Sequence, residues 1–223
     1  MSDKNKVGLI DYSRPWDISF CISHAVGAVF GVVANVLSVM KTLRYGDAAA
    51  TEAALIYTMA FILIYSISAI YHGLQPGKAK AFARRLDHMA IPVLLAGTAT
   101  PCALLTLYEL SPVHGIAVFS AGWLCATFGV IVKLFYFNNE KLKVICMASY
   151  FVCGAAMMIS AVPYIGVINK TAFMQLVIGC ALYAIGAVFC LIGRKYPPMH
   201  LPFHLFVLAA SIVHFFTIYH YVL

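Results

Sequence analysis

Charge is scarce in this sequence. Only 10% of its 223 residues are Asp, Glu, Lys or Arg, against roughly 25% in an ordinary soluble domain. Fifteen basic and eight acidic side chains cannot clothe a water-soluble globule of this size, and 63% of the residues are hydrophobic. The shortage excludes a soluble globular enzyme and a disordered chain. It also excludes a nucleic-acid binder reading bases from a basic face. The net charge of +7 comes from short basic clusters between apolar runs, as in loops that lie beside anionic lipid headgroups. The sequence therefore reads as an integral membrane protein whose partners are membrane lipids, with no nucleic acid.

Paired cysteines are missing too. Seven occur, at positions 21, 102, 125, 146, 153, 180 and 190, all inside apolar stretches and none in a CxxC pair. That excludes a disulfide framework and a thiolate zinc site, and leaves them as small core residues. A cleavable signal peptide is not visible either. The first 17 residues carry six charges and no useful apolar run, so the first apolar segment is expected to be the targeting signal and to stay in the membrane. Finally, the last apolar run lacks lysine, which excludes a retinal Schiff base.

What is present is a series of seven uncharged runs, each long enough to cross about 30 Å of hydrocarbon as a helix. They are Ile18–Met40, Ala53–Leu74, Met89–Tyr108, Gly115–Val132, Val144–Val167, Thr171–Gly193 and Leu201–Leu223. The expected fold is an all-α seven-transmembrane-helix bundle, with a tail over residues 1–17 and the membrane domain over 18–223. Short connections make neighbouring helices antiparallel. Pro92, Pro101, Pro163 and Pro202 fall within spans, where proline kinks a helix or sits in its first turn.

Orientation follows from the basic residues. The N-terminal tail and the loops after spans two, four and six carry Lys4, Lys6, Arg14, Lys78, Lys80, Arg84, Arg85, Lys133, Lys141, Lys143, Arg194 and Lys195. The other side carries Lys41, Arg44 and Lys170. Twelve against three puts the N-terminus in the cytoplasm and the C-terminus outside.

On that topology, polar residues gather at one depth. Span two ends with Ser68 and His72 four apart, hence on one helical face. Span three opens with Asp87 and His88, and span seven with His200 and His204, again four apart. An intramembrane ionisable group is a functional hypothesis by default. Two imidazoles at i and i+4 with a third from a neighbouring helix suit a zinc ion with one open position. Water bound there has its pKa lowered to about 7, and a nearby carboxylate takes the proton and offsets the dication's charge. The spacing alone also admits histidines wet at the interface, a haem or a proton relay. Asp87 equally suits a headgroup-level salt bridge, and Ser68 a bond back to its own helix.

Ser68-Ala-Ile-Tyr-His72, Arg85-Leu-Asp87-His88-Met-Ala-Ile, Ala96-Gly-Thr-Ala-Thr-Pro101, His200-Leu-Pro-Phe-His204 and Ser211-Ile-Val-His214-Phe together resemble the hemolysin III family. That is the bacterial branch of the progestin and adiponectin receptor superfamily. The resemblance runs from about Trp16 to Leu223, with the motifs in order on the right spans. It implies one zinc held near the cytoplasmic face of the plasma membrane by His72, His200 and His204, with Asp87 and Ser68 as catalytic neighbours. Two departures stand out: Ala99 where the family commonly has Tyr, and Pro202 between the paired histidines, which is expected to turn His200 slightly. His214, about 15 Å beyond His204 along the helix, is expected to be a hydrogen-bonded core or proton-path residue. His24 is expected to be a satisfied polar residue near the same cavity, and His88 to point elsewhere.

The resemblance implies a zinc-dependent, ceramidase-like hydrolase of lipid amides or esters, entered sideways from the bilayer. The alternatives are a lytic or pore protein, as the family name indicates, and a membrane-state sensor with a structural zinc.

Overall fold

The computed structural model describes residues 12–223. Residues 1–11 of the expected tail, with Lys4 and Lys6, lie outside the described residues. Seven helices among the described residues are long and apolar enough to cross a membrane. We label them α1 (Arg14–Tyr45), α2 (Ala48–Gly73), α3 (Lys78–Leu110), α4 (Pro112–Phe135), α5 (Glu140–Ser160), α6 (Lys170–Gly193) and α7 (His200–Tyr221).

Local chemistry sets the helix ends. Asp47 accepts from Ala50 N at 2.8 Å to start α2, and Asn139 and Asn169 accept from the third amide beyond them to start α5 and α6, the usual N-cap arrangement. Pro15 and Pro112 occupy the first turns of α1 and α4, where a missing N–H costs nothing. In α3, Pro101 removes an amide donor from the ladder, and the chain passes through a π-helical segment, Cys102–Leu107, before resuming as α-helix, a common response to such a gap. α5 stops at Ser160, short of the expected Val167, and Pro163 lies in a separate 3₁₀ turn, Val162–Tyr164.

Helix α1 begins at Arg14, four residues before the expected span. The reason is tertiary. Arg14 donates to Gly73 O at 3.0 Å at the C-terminal end of α2, where a cation meets orphan carbonyls. Asp17, in the same first turn, is buried against α2 and α3, so its carboxylate is held by protein rather than water.

Successive helices pack as neighbours, and α7 returns to pack on both α6 and α1. The interface of α1 is a stripe of small residues with Gly27 and Gly31 at its centre. A Cβ at Gly27 would overlap the Tyr65 ring, and one at Gly31 the Phe61 ring, so glycine is what lets α1 approach α2 this closely. Tyr57, Phe61, Tyr65, Leu94 and Phe215 fill the interior. The helices α2 and α3 are the most enclosed and α5 the least. Outward faces are apolar throughout, as at Val29, Met40, Val152 and Ile159. All seven cysteines are free.

Candidate metal centre

The first turns of α1, α3 and α7 and the last turn of α2 share one end of the bundle, as the contacts Arg14–Gly73, Lys80–Asp17 and Ser23–His204 require. There His72 ends α2, His200 opens α7, and His204 stands one turn further along α7. One nitrogen from each lies within 4.8 Å of the other two. His72 and His204 are buried and His200 is half-buried. Pro202 lies in the first turn of α7 and leaves His200 inside this group.

Hydrogen bonds decide which nitrogen each buried imidazole offers. His72 Nδ1 lies 3.2 Å from Asp17 Oδ1. A carboxylate only accepts, so Nδ1 carries the proton and Nε2 holds a lone pair. That Nε2 is buried with no hydrogen-bond partner. His204 Nδ1 lies 3.0 Å from Ser23 Oγ, and the Ser23 hydroxyl donates its only proton to Phe20 O at 2.8 Å. The serine oxygen therefore accepts from His204 Nδ1, which again leaves Nε2 bare. Metal-ligating histidines show this arrangement, in which the second nitrogen donates to a carboxylate or other acceptor that fixes the tautomer. The donor set fits a soft-to-borderline divalent ion such as zinc.

Asp17 is itself anchored. Lys80 donates to its Oδ2 and, at 3.3 Å, to Leu74 O, with Lys80 only 2% exposed. Phe20 packs on all three histidines, with ring centroids 5.1 Å from His72, 5.1 Å from His200 and 5.3 Å from His204. Tyr12 stacks on His200 at 5.3 Å; burial raises its phenol pKa, so it stays protonated.

Of the residues named from sequence, the structure brings His72, His200 and His204 together. Ser68 is buried one turn before His72 on α2. Asp87 is half-buried on α3, with Oδ2 3.6 Å from His88 Nδ1, and lies within electrostatic range of His24, His72 and His200. His88 instead faces Arg84 O at 2.9 Å. His214 is a core histidine, its Nε2 donating to Leu176 O at 3.0 Å and its ring covering Gly179. His24 departs from expectation: it is buried beside His204, and neither ring nitrogen has a partner. Sequence reasoning missed Tyr12, Asp17, Phe20 and Ser23. Only Asp17 left a trace, as a lone carboxylate abutting an apolar run.

A family model described as Haemolysin-III related matches residues 18–215. The chain belongs to the haemolysin-III family. Among curated relatives, it is 32% identical to hemolysin-3 of Bacillus cereus over 93% of this chain and 92% of that one. It is 29% identical to the hemolysin-3 homolog of Bacillus subtilis (strain 168), over 92% and 93%. The human monocyte to macrophage differentiation factor is 27% identical, over 90% of this chain and 82% of that protein. The family model's match takes in all three histidines. The haemolysin-III chain is thus a multi-pass membrane protein with a polar centre built at one end of its bundle.

Proposed function

We propose that this haemolysin-III protein is a zinc-dependent hydrolase of membrane lipid amides, working in the plasma membrane with its centre at the cytoplasmic end. One observation carries the reading. Two buried imidazoles give their Nδ1–H to Asp17 and to Ser23, which leaves each a lone pair on Nε2, and one nitrogen of each lies within 4.8 Å of one from His200. In a bundle so short of charge, three imidazoles gathered this closely with lone pairs to offer suit a bound cation.

His72, His200 and His204 hold the ion. When bound, zinc supplies Lewis acidity for a water and for the scissile carbonyl. The remaining work falls to this chain. Asp87, outside the triad but in electrostatic range of His72 and His200, takes a proton from the attacking water and returns it to the leaving nitrogen as the acyl C–N bond breaks, releasing a carboxylic acid and an amine. Ser68 hydrogen-bonds the substrate carbonyl. Phe20 and Tyr12 cover the histidines and keep bulk water away, which strengthens every polar interaction inside. The twelve-to-three division of basic residues supports the cytoplasmic placement.

The Bacillus cereus relative is named for lysis. Here the interior is filled by Tyr57, Phe61, Tyr65 and Phe215, which favours the hydrolase over a wide pore through a single chain. The test is metal analysis of protein purified without chelator, followed by hydrolysis of ceramides and other acyl amides with and without chelator. About one zinc per chain and chelator-sensitive release of fatty acid are expected. Metal-free protein, or metal-loaded protein inert on all these lipids, overturns the reading.

A further inference from the structure

A fourth histidine stands in the centre with no assigned task. His24, on α1, is 4% exposed. Its ring stacks on His204 with centroids 3.7 Å apart and planes at 20°. The edge of Tyr65 closes the other side at 5.0 Å. Both His24 nitrogens are buried, and neither has a hydrogen-bond partner among the described residues. A neutral imidazole carries one N–H donor and one lone pair, and buried polar atoms in native proteins are nearly always paired. His214 shows how this bundle treats an ordinary buried histidine, with a backbone carbonyl supplied for its N–H. His24 receives nothing.

Nor does it belong to the ligand set. Its plane lies nearly parallel to that of His204, with the rings stacked 3.7 Å apart, so the two rings do not share a point that lies in both planes at coordination distance. An imidazole binds a metal in its own plane. The three nitrogens that do converge come from His72, His200 and His204.

We propose that His24 contacts the molecule bound beside the triad, one ring nitrogen accepting from the N–H of an acyl amide. This rests on the zinc-hydrolase reading and assigns to His24 the discrimination of acyl amides from simple esters, which lack the donor. Ser23 reinforces the assignment: it fixes His204 from one side, and the next residue in sequence presents His24 to that ring's face.

The experiment uses the full chain in detergent, loaded with Co²⁺ in place of zinc and titrated with octanohydroxamate, which pairs a carbonyl with an N–H. The visible Co²⁺ bands report the ligand set, and their change on titration reports hydroxamate affinity. His24→Phe keeps a stacked ring and removes both nitrogens. It should bind one Co²⁺ per chain with unchanged bands before titration, and hold hydroxamate about tenfold more weakly, as the loss of one or two neutral hydrogen bonds implies. His24→Gln, which retains a donor and an acceptor, should recover most of that loss. His24→Leu removes the same nitrogens and replaces Phe in the comparison should the phenyl ring fail to pack. Unchanged hydroxamate affinity in a Co²⁺-loaded Phe or Leu variant overturns the proposal, because the nitrogens then serve only ordered water. Loss of Co²⁺ from these variants overturns it in favour of a metal-holding role. Wild type that takes up no Co²⁺ overturns the zinc reading itself, and this proposal with it.

Discussion

Replacing Asp17 by Asn separates two jobs that one carboxylate performs. The carboxylate accepts from His72 Nδ1 at 3.2 Å and pairs with the Lys80 ammonium. An amide oxygen can still accept from Nδ1, but it carries no charge for a lysine that is only 2% exposed. Removing one partner of a buried ion pair costs about 3–5 kcal/mol, because the other charge is left uncompensated. Losing a carboxylate that orients a ligating histidine weakens metal binding about 10–100-fold. Asp17→Asn should therefore lower both thermal stability and zinc affinity. The double variant Asp17→Asn/Lys80→Met removes the stranded charge and should regain most of the stability while leaving zinc affinity low. Competition against a fluorescent zinc chelator gives the affinity, and thiol-reactive dye labelling of the buried Cys146 on heating gives the unfolding midpoint. Zinc affinity within twofold of wild type in the double variant would refute the claim that Asp17 sets His72. Full stability in the single variant would refute the claim that Lys80 depends on it.

Three other expectations address different parts of the molecule. His204→Ala should lose most of the bound zinc while His220→Ala, at the far end of α7, keeps it; equal loss from both in metal analysis would dissolve the site. Asp87→Asn should keep zinc at saturating metal and lose about 10²–10⁴-fold in lipid-amide turnover, the usual worth of a general base, whereas release of zinc with unfolding would make Asp87 a structural residue. A reporter fused after Leu223 should be active only if it works outside the cytoplasm, and a cytoplasmic signal would reverse the topology and the depth of the centre together.

The length of the uncharged apolar runs was enough to find the seven helices, because a segment in hydrocarbon must satisfy its own backbone and keep charges out. The ends were less legible. Arg14 and Asp17 look like tail residues in a linear reading, yet they form the first turn of α1 because Gly73 O, His72 and Lys80 meet them there. Pro163 was legible only as a proline, and the structure places it beyond the end of α5.

The triad shows the same division. His200 and His204 share a face by spacing, and the residue motifs pointed to His72 as their companion. Choosing Asp87 as the neighbouring carboxylate was natural, since it lies in a motif beside a histidine. The carboxylate that bonds a triad imidazole is Asp17, 55 residues before His72 in sequence, and no local pattern links the two.

By itself, then, the sequence determined that the chain lies in a membrane and that it crosses as seven helices, while the three imidazoles were singled out only by the resemblance of their motifs. The first two properties depend on composition and on the length of uncharged runs, which the linear order records. Tertiary structure alone decided which nitrogen each buried imidazole presents, that Lys80 and Ser23 serve the centre from other helices, and that His24 lies unpartnered against His204. A proton's position on an imidazole depends on which acceptor stands opposite, and that acceptor arrives only when α1, glycine-lined at Gly27 and Gly31, packs closely against α2.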